Sequence, residues 1–222
     1  MGQRLNLPGL DAAGPLHTGV QAEATSPAGL RLHGFIRKLW PTDLVAFRDH
    51  LLRLDADTRH SRFGMGASDA FIADYARRSF TLVGVTYGYF EEGLIRGAAE
   101  LRDMGHEGQD GEAAFSIENG WRGRGLGTAL FKRVIRAARN RHMKRLYASC
   151  LSHNHAMQAL ARKFEAELTF DSGDVIGVLS ADDATAETQI GEALDDASGF
   201  ATAVLDLQRR WLRPFPLRSN RA

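Results

Sequence analysis

With 222 residues, 44% of them apolar, the chain is long enough to bury one sizeable core and too apolar for a disordered protein. Its 28 basic and 27 acidic residues leave a formal charge of +1, which gives no electrostatic basis for general nucleic-acid binding. A single cysteine, Cys150, excludes an internal disulfide framework, and no run nears the roughly 18 apolar residues of a membrane helix, so a cytoplasmic protein with no membrane partner is expected.

Residues 1–27 mix Gly, Pro and small side chains without a sustained period and read as a flexible N-terminal tail. The Met1-Gly2 start gives poor support for myristoylation, because Asn6 stands where Ser or Thr is needed. A first strand is expected within 30–39. Pro41 and Thr42 then lead into a helix whose Leu44, Phe47, Leu51 and Leu54 share one face. Short helices or turns follow over 55–64 and 68–78. Segments 80–90, 93–104 and 111–119 read as adjacent strands separated by Gly and Asp clusters.

The run "ENGWRGRGLG" at 118–127 leads directly into a helix over about 126–141. Leu130, Val134 and Ala138 form one apolar line of that helix and Phe131 and Ile135 the next, while Lys132, Arg133, Arg136 and Arg139 point elsewhere. A strand at "KRLYASCL", a helix from Asn154 and two strands within 167–180 complete a mixed α/β or α+β domain over 28–180. Residues 181–222 read as a partly helical C-terminal extension. Its acidic "DDATAETQIGEALDDASG" is helix or surface loop, and a helical face through Phe200, Val204, Leu207 and Trp211 is stopped by Pro214 and Pro216.

A glycine loop before a helix suggests an anion. A Walker loop would place Lys and then Ser or Thr after its last glycine, but Leu126 and Gly127 follow Gly125. A dinucleotide fingerprint would place glycines at 123, 125 and 128, where Thr128 breaks the pattern and no acidic residue stands near Tyr147. What remains is a backbone cradle: Gly123, Gly125 and Gly127 allow close approach to amides at the positive end of a helix, which suits a pyrophosphate. A turn with a solvated arginine face is the competing reading.

Arg122-Gly123-Arg124-Gly125-Leu126-Gly127 resembles the Arg/Gln-x-x-Gly-x-Gly/Ala motif of the GNAT superfamily of N-acetyltransferases, and "IENGW" resembles the strand end and turn before it. "RLYASCLSHN" running into "NHAMQALARKF" is similar to that family's fifth strand and following helix, so the resemblance covers roughly 28–180. It implies a central, mostly antiparallel sheet of six or seven strands, splayed at the cofactor site and flanked by helices. It implies acetyl-CoA as cofactor, with CoA as product and an amine as acceptor. The pyrophosphate would lie on Arg122 to Thr128, with Arg122 and Arg124 as phosphate neighbours. The pantetheine arm would pair with backbone at Phe115, Ser116 and Ile117, and Asn154 would orient the cofactor arm, with Met157 and Leu160 packing inward. Two departures stand out. Ala161 occupies the position of the family's frequent catalytic Tyr, and Glu165-Ala166 replaces its Gly-Phe.

Acetylation needs the acceptor ammonium to lose a proton, and Glu112, on the expected strand before "AAFSI", is the expected base, acting directly or through water. Glu118 is read as structural because a carboxylate so near the loop would repel phosphate. Tyr147 or Ser152 is the candidate acid for the departing thiolate. Cys150 is read as a bystander, and His142, His153 and His155 as non-metal histidines, since no further ligands complete a set. "DTRHSRFG" is similar to a segment bordering the acceptor site in some bacterial acetyltransferases, with Arg59, His60, Arg62 and Phe63 shaping a pocket. A non-catalytic acyl-CoA sensor and a transferase of longer acyl groups are the alternatives, and a homodimer through the C-terminal segment is left open.

Overall fold

A computed structural model describes residues 32–80, 84–105, 109–181 and 184–211. Among the described residues lie strands β1 (Phe35–Lys38), β2 (Gly84–Glu91), β3 (Leu94–Asp103), β4 (Asp110–Ile117), β5 (Arg145–Leu151), β6 (Glu167–Asp171) and β7 (Asp174–Ser180). The helices are α1 (Leu44–Leu52), α2 (Ala56–Phe63), α3 (Asp69–Ser79), α4 (Leu126–Asn140), α5 (His155–Lys163) and α6 (Ala186–Trp211). The expected tail over 1–27 and the stops at Pro214 and Pro216 lie outside the described residues.

The strands form one sheet in the order β1-β2-β3-β4-β5-β7-β6. Every neighbouring pair is antiparallel except β4 with β5. Local chemistry explains the hairpins. Glu92-Gly93 joins β2 to β3 and Ser172-Gly173 joins β6 to β7, each with positive φ at both residues, the conformation that tight two-residue hairpins require. A parallel pair cannot be joined by such a turn, and α4 supplies the crossover between β4 and β5.

Two apolar layers sandwich the sheet. Leu126, Leu130, Phe131, Val134 and Ala138 of α4 are buried against one face, as the helical spacing predicts. Phe47, Leu51 and Leu54 join Ile72 of α3 and Ile95 and Ala98 of β3 in a second cluster on the other face. Three of the four short helices, α2, α3 and α5, begin on side-chain caps: Asp55 accepts from the Thr58 amide at 2.7 Å, Ser68 from Phe71 at 3.2 Å and Asn154 from Met157 at 3.1 Å.

The C-terminal segment differs from the expectation of a helix or loop followed by a separate helix. It is one 26-residue helix, α6, that runs through both segments. Its glycines lie where α6 approaches the body closely: a Cβ on Gly199 would come within 2.7 Å of the Arg37 Cβ, and one on Gly191 within 3.1 Å of the Arg136 guanidinium. Arg133 and Arg136 of α4 pair with Asp195 of α6 instead of forming a solvated face. Val204 is exposed, while the side chains of Phe200, Leu207 and Trp211 lie outside the described set. Ile190, Leu194 and Leu205 are exposed on the same helix. No helix among the described residues is long and apolar enough to cross a membrane.

Candidate functional site

The site begins where the sheet opens. β4 pairs with β3 along its length, from Gly111 to Ile117, but meets β5 only from Asp110 to Glu112, opposite Arg145 to Tyr147. Beyond that point the outward backbone groups of Ala113 to Ile117 face no strand, which is the edge expected to take an extended arm. Bidentate Arg145 and buried Asp110, at 2.7 and 2.8 Å, clamp the two strands at the closed end. Because side chains alternate, Glu112, Ala114 and Ser116 share the face of α1 to α3, whereas Ala113, Phe115 and Ile117 face α4. Phe115 packs edge-on to Phe131 with centroids 5.0 Å apart.

The loop expected to hold the pyrophosphate has the geometry of an anion cradle. Gly123 and Gly125 have φ of +71° and +82°, and nothing lies within 4 Å of the Cβ that either lacks. Gly125 is also the N-cap of α4 and makes no side-chain cap bond. Among the described residues, no acceptor meets the amides of Gly123 to Thr128, so they are available to an anion at the positive end of the helix. Gly127 packs near Leu160 of α5 instead of forming part of the open loop. Arg122 turns away from the cradle: it donates to Thr58 Oγ1 at 2.6 Å and to the Ile117 carbonyl at 3.2 Å, bracing the loop against α2. Arg124 lies over the Trp121 ring, 5.7 Å from its centroid.

Glu118 acts as an anchor just before this loop. It accepts from Arg53 at 2.9 Å and from Arg96 at 2.9 Å, and it meets His50 Nδ1 at 3.3 Å. Burial alone would raise its pKa, but hydrogen bonds from His50 and Arg96 and the charge of Arg53 hold it at about 2. His50 is fully buried, and desolvation outweighs Glu118 in lowering its pKa, so the imidazole is neutral near pH 7. That assigns Nδ1–H as the donor to Glu118 and Nε2 as the acceptor of the Ser116 hydroxyl at 3.0 Å. Sequence reasoning identified Glu118 as structural but missed His50, whose partner on β4 lies 66 positions away.

A cleft of about 330 Å³ opens between α2, the diverging β4 and β5, and β7. Glu112, Phe115, Asn154 and Met157 line it together with Cys150. Tyr147 is half-buried on the Glu112 face but does not line this cleft. Ser152 is exposed past the end of β5, where its amide donates to the Gly173 carbonyl at 2.8 Å, and it is likewise outside the cleft. Ala161 is buried, so no acid stands at that position. Burial, aided by the charge of Asp174, pushes the Cys150 thiol pKa up, which disfavours a nucleophilic thiolate.

The α2 segment does border the cleft. Ser61, Arg62, Phe63 and Gly64 line it. Arg62 is held from behind by Glu100 at 2.6 Å and by the Tyr75 hydroxyl, while Arg102 reaches the other Glu100 oxygen at 2.7 Å. Although burial opposes it, the charges of Arg62 and Arg102 keep Glu100 ionised with a lowered pKa. Arg59 faces away, on Asp69 and the Leu52 and Leu54 carbonyls. His60 stacks on His153, with centroids 6.4 Å apart, and neither lines the cleft. Among the described residues no group of three or more His, Cys, Asp or Glu is placed to hold a metal. A larger cleft of about 850 Å³ between α4, α6 and β7 contains none of the expected site residues, and Glu165, Glu167 and Glu187 offset its basic lining.

Known proteins share this family and fold. The family model described as Acetyltransferase (GNAT) family matches residues 48–165. The GNAT domain of S. lividans PAT is similar in fold, with a TM-score of 0.58 at 19% identity over 65% of this chain and 89% of that one. YncA, a putative acetyltransferase from Salmonella typhimurium solved with its cofactor acetyl-CoA, gives 0.54 at 18% identity over 69% and 96%. The ribosomal L7/L12 α-N-protein acetyltransferase RimL, in complex with CoA, gives 0.54 at 16% over 66% and 94%. No curated protein matches the chain.

Proposed function

The chain belongs to the GNAT acetyltransferase family, and from that premise we propose that it transfers the acetyl group of acetyl-CoA to a primary amine by direct attack in a ternary complex. Similar folds hold acetyl-CoA or CoA, and the cradle of Gly123 to Thr128 suits their shared pyrophosphate. The catalytic unit is assigned to 28–180, with 181–222 an extension that buttresses β1 and α4 through α6. A cytoplasmic location remains our reading, resting on one reduced cysteine.

The observation that carries the activity is the position of Glu112. It lines the cleft where β4 and β5 part, and its carboxylate has no hydrogen bond or ion pair with any described residue. An alkylammonium near pKa 10 is protonated at neutral pH, so Glu112 takes its proton directly or through a water. Acetyl-CoA supplies an activated acyl group. The unpaired amides of β4 beyond Glu112 are suited to stabilise the oxyanion, and Phe115 to Ile117 offer backbone to the pantetheine arm. Asn154, capping α5, holds the opposite wall. Tyr147 or water returns a proton to the thiolate, and the exposed position of Ser152 favours the other two. Arg122 serves as a brace to α2, leaving phosphate binding chiefly to main-chain amides.

Purified protein incubated with acetyl-CoA and a panel of amines, with free thiol followed over time, tests this reading. Amine-dependent thiol release supports a transferase. Tight acetyl-CoA binding with no release from any amine overturns it in favour of a sensor.

A further inference from the structure

The electrostatics of the cleft narrow the acceptor. The cleft has two acidic lining residues, Glu112 on β4 and Asp174 at the start of β7, and one basic one, Arg62. Behind the wall Arg62 and Arg102 share Glu100, with the Tyr75 hydroxyl on the Arg62 guanidinium, so that buried cluster keeps one positive charge. Neither Glu112 nor Asp174 makes a hydrogen bond or ion pair with a described residue. The charge of Asp174 is nevertheless felt at Cys150, inside the cleft. The cavity therefore presents two carboxylates without ion-pair partners, one negative charge more than the buried Arg62–Glu100–Arg102 cluster offsets, to an incoming amine, which is itself a cation at neutral pH.

Their spacing follows from the register. Glu112 stands opposite Tyr147, and Asp174 opposite Leu151, four positions further along β5 and on its other side. At the usual rise and strand spacing the two backbones are about 16 Å apart. All of these positions share one sheet face. Apart from Arg62, the lining on this face is apolar or hydroxylic: Phe63, Ala114, Ser149, Leu151 and Ile176, with Ser61 on α2. Such a wall suits methylenes between two cationic ends, whereas a short diamine cannot bridge it.

We propose that Asp174 is a specificity-determining residue that selects linear polyamines, holding a remote ammonium while Glu112 deprotonates the reacting one. This rests on the transferase reading above. Asp174 is exposed at the hairpin end of β7, so it is reached last by the far end of an extended acceptor whose reactive amine is already at the splay.

The test compares kcat/KM for spermidine, putrescine and butylamine by thiol release, in the wild type and in Asp174→Asn and Asp174→Glu. The expected result is a preference of about tenfold for spermidine over butylamine, with putrescine near butylamine. Asp174→Asn should reduce that ratio at least about fivefold through KM, and Asp174→Glu should retain most of it. Amine-dependent turnover without preference, or a preference unchanged in Asp174→Asn, overturns this inference and leaves the transferase standing. Absence of thiol release with every amine removes the transferase reading itself.

Discussion

Glu112 and Tyr147 face each other as the last register pair of the parallel β4–β5 ladder. One residue further, β4 has lost its neighbour, so a carboxylate, an unpaired backbone edge and the mouth of a cleft coincide at a single step of the chain. That coincidence follows from the sheet topology. α4 carries the chain over the sheet from the end of β4 to the start of β5, and the two strands converge only at their N-terminal ends.

Replacing Glu112 with Gln keeps the shape of the cleft and removes the proton acceptor. Turnover at pH 7 should fall by roughly 10² to 10³, while the acetyl-CoA dissociation constant stays within about twofold. The loss should shrink as pH rises toward the pKa of the amine, because free amine then no longer needs a base. A kcat within a few-fold of wild type at pH 7 would remove Glu112 from the mechanism. Tyr147→Phe provides the companion measurement: a tenfold fall in kcat at an unchanged KM for acetyl-CoA assigns the thiolate proton to Tyr147, and an unchanged kcat assigns it to water.

Gly125 tests the cradle. Its φ of +82° strains any L side chain, at a cost of roughly 1–2 kcal/mol, yet nothing lies within 4 Å of the missing Cβ. A bulky Gly125→Val should therefore fold and still obstruct the amides, raising the acetyl-CoA dissociation constant at least about tenfold by titration calorimetry. Unchanged binding in a folded variant would sink the phosphate assignment.

Glu118 makes a prediction about acid stability. Its folded pKa of about 2 lies below the ordinary 4.5, so its contribution is complete above about pH 4.5 and is lost as pH falls toward 2. Glu118→Gln removes the carboxylate charge shared by Arg53, Arg96 and His50 and turns one acceptor oxygen into an amide donor, and should cost about 3 kcal/mol at pH 7 in denaturant unfolding. It should also flatten the stability loss between pH 4.5 and 2. An acid limb identical to that of the wild type would show that the network carries no linkage.

Much of this was legible in the sequence, for a physical reason in each case. Spaced glycines before an amphipathic helix suggest an anion loop, and Asn154 before an apolar-periodic run announces the cap that α5 has, because both signals are local. Arg122 was misleading because its partner, Thr58, lies 64 positions earlier on α2. Asp174 carried no signal beyond a turn, since "DSGD" reads only as a hairpin until β7 is placed beside β5. The continuity of α6 was hidden by Gly191 and Gly199, whose function is close approach and not helix termination.

Cys150 reports occupancy of the cleft. It is the chain's one cysteine, so any thiol label has a single destination. Burial and Asp174 keep the thiol protonated, and alkylation by iodoacetamide at pH 7 should be at least about tenfold slower than that of a free thiol. Because Cys150 lines the cleft beside Phe115 and Asn154, saturating acetyl-CoA should slow it further, and free amine acceptor alone should slow it less. Asp174→Asn removes the nearby negative charge and should speed the reaction in the unliganded protein. If acetyl-CoA binds, as calorimetry would show independently, and the alkylation rate does not change, then the cofactor arm does not pass between β4 and β5 at this level and the placement of the reaction beside Glu112 fails with it.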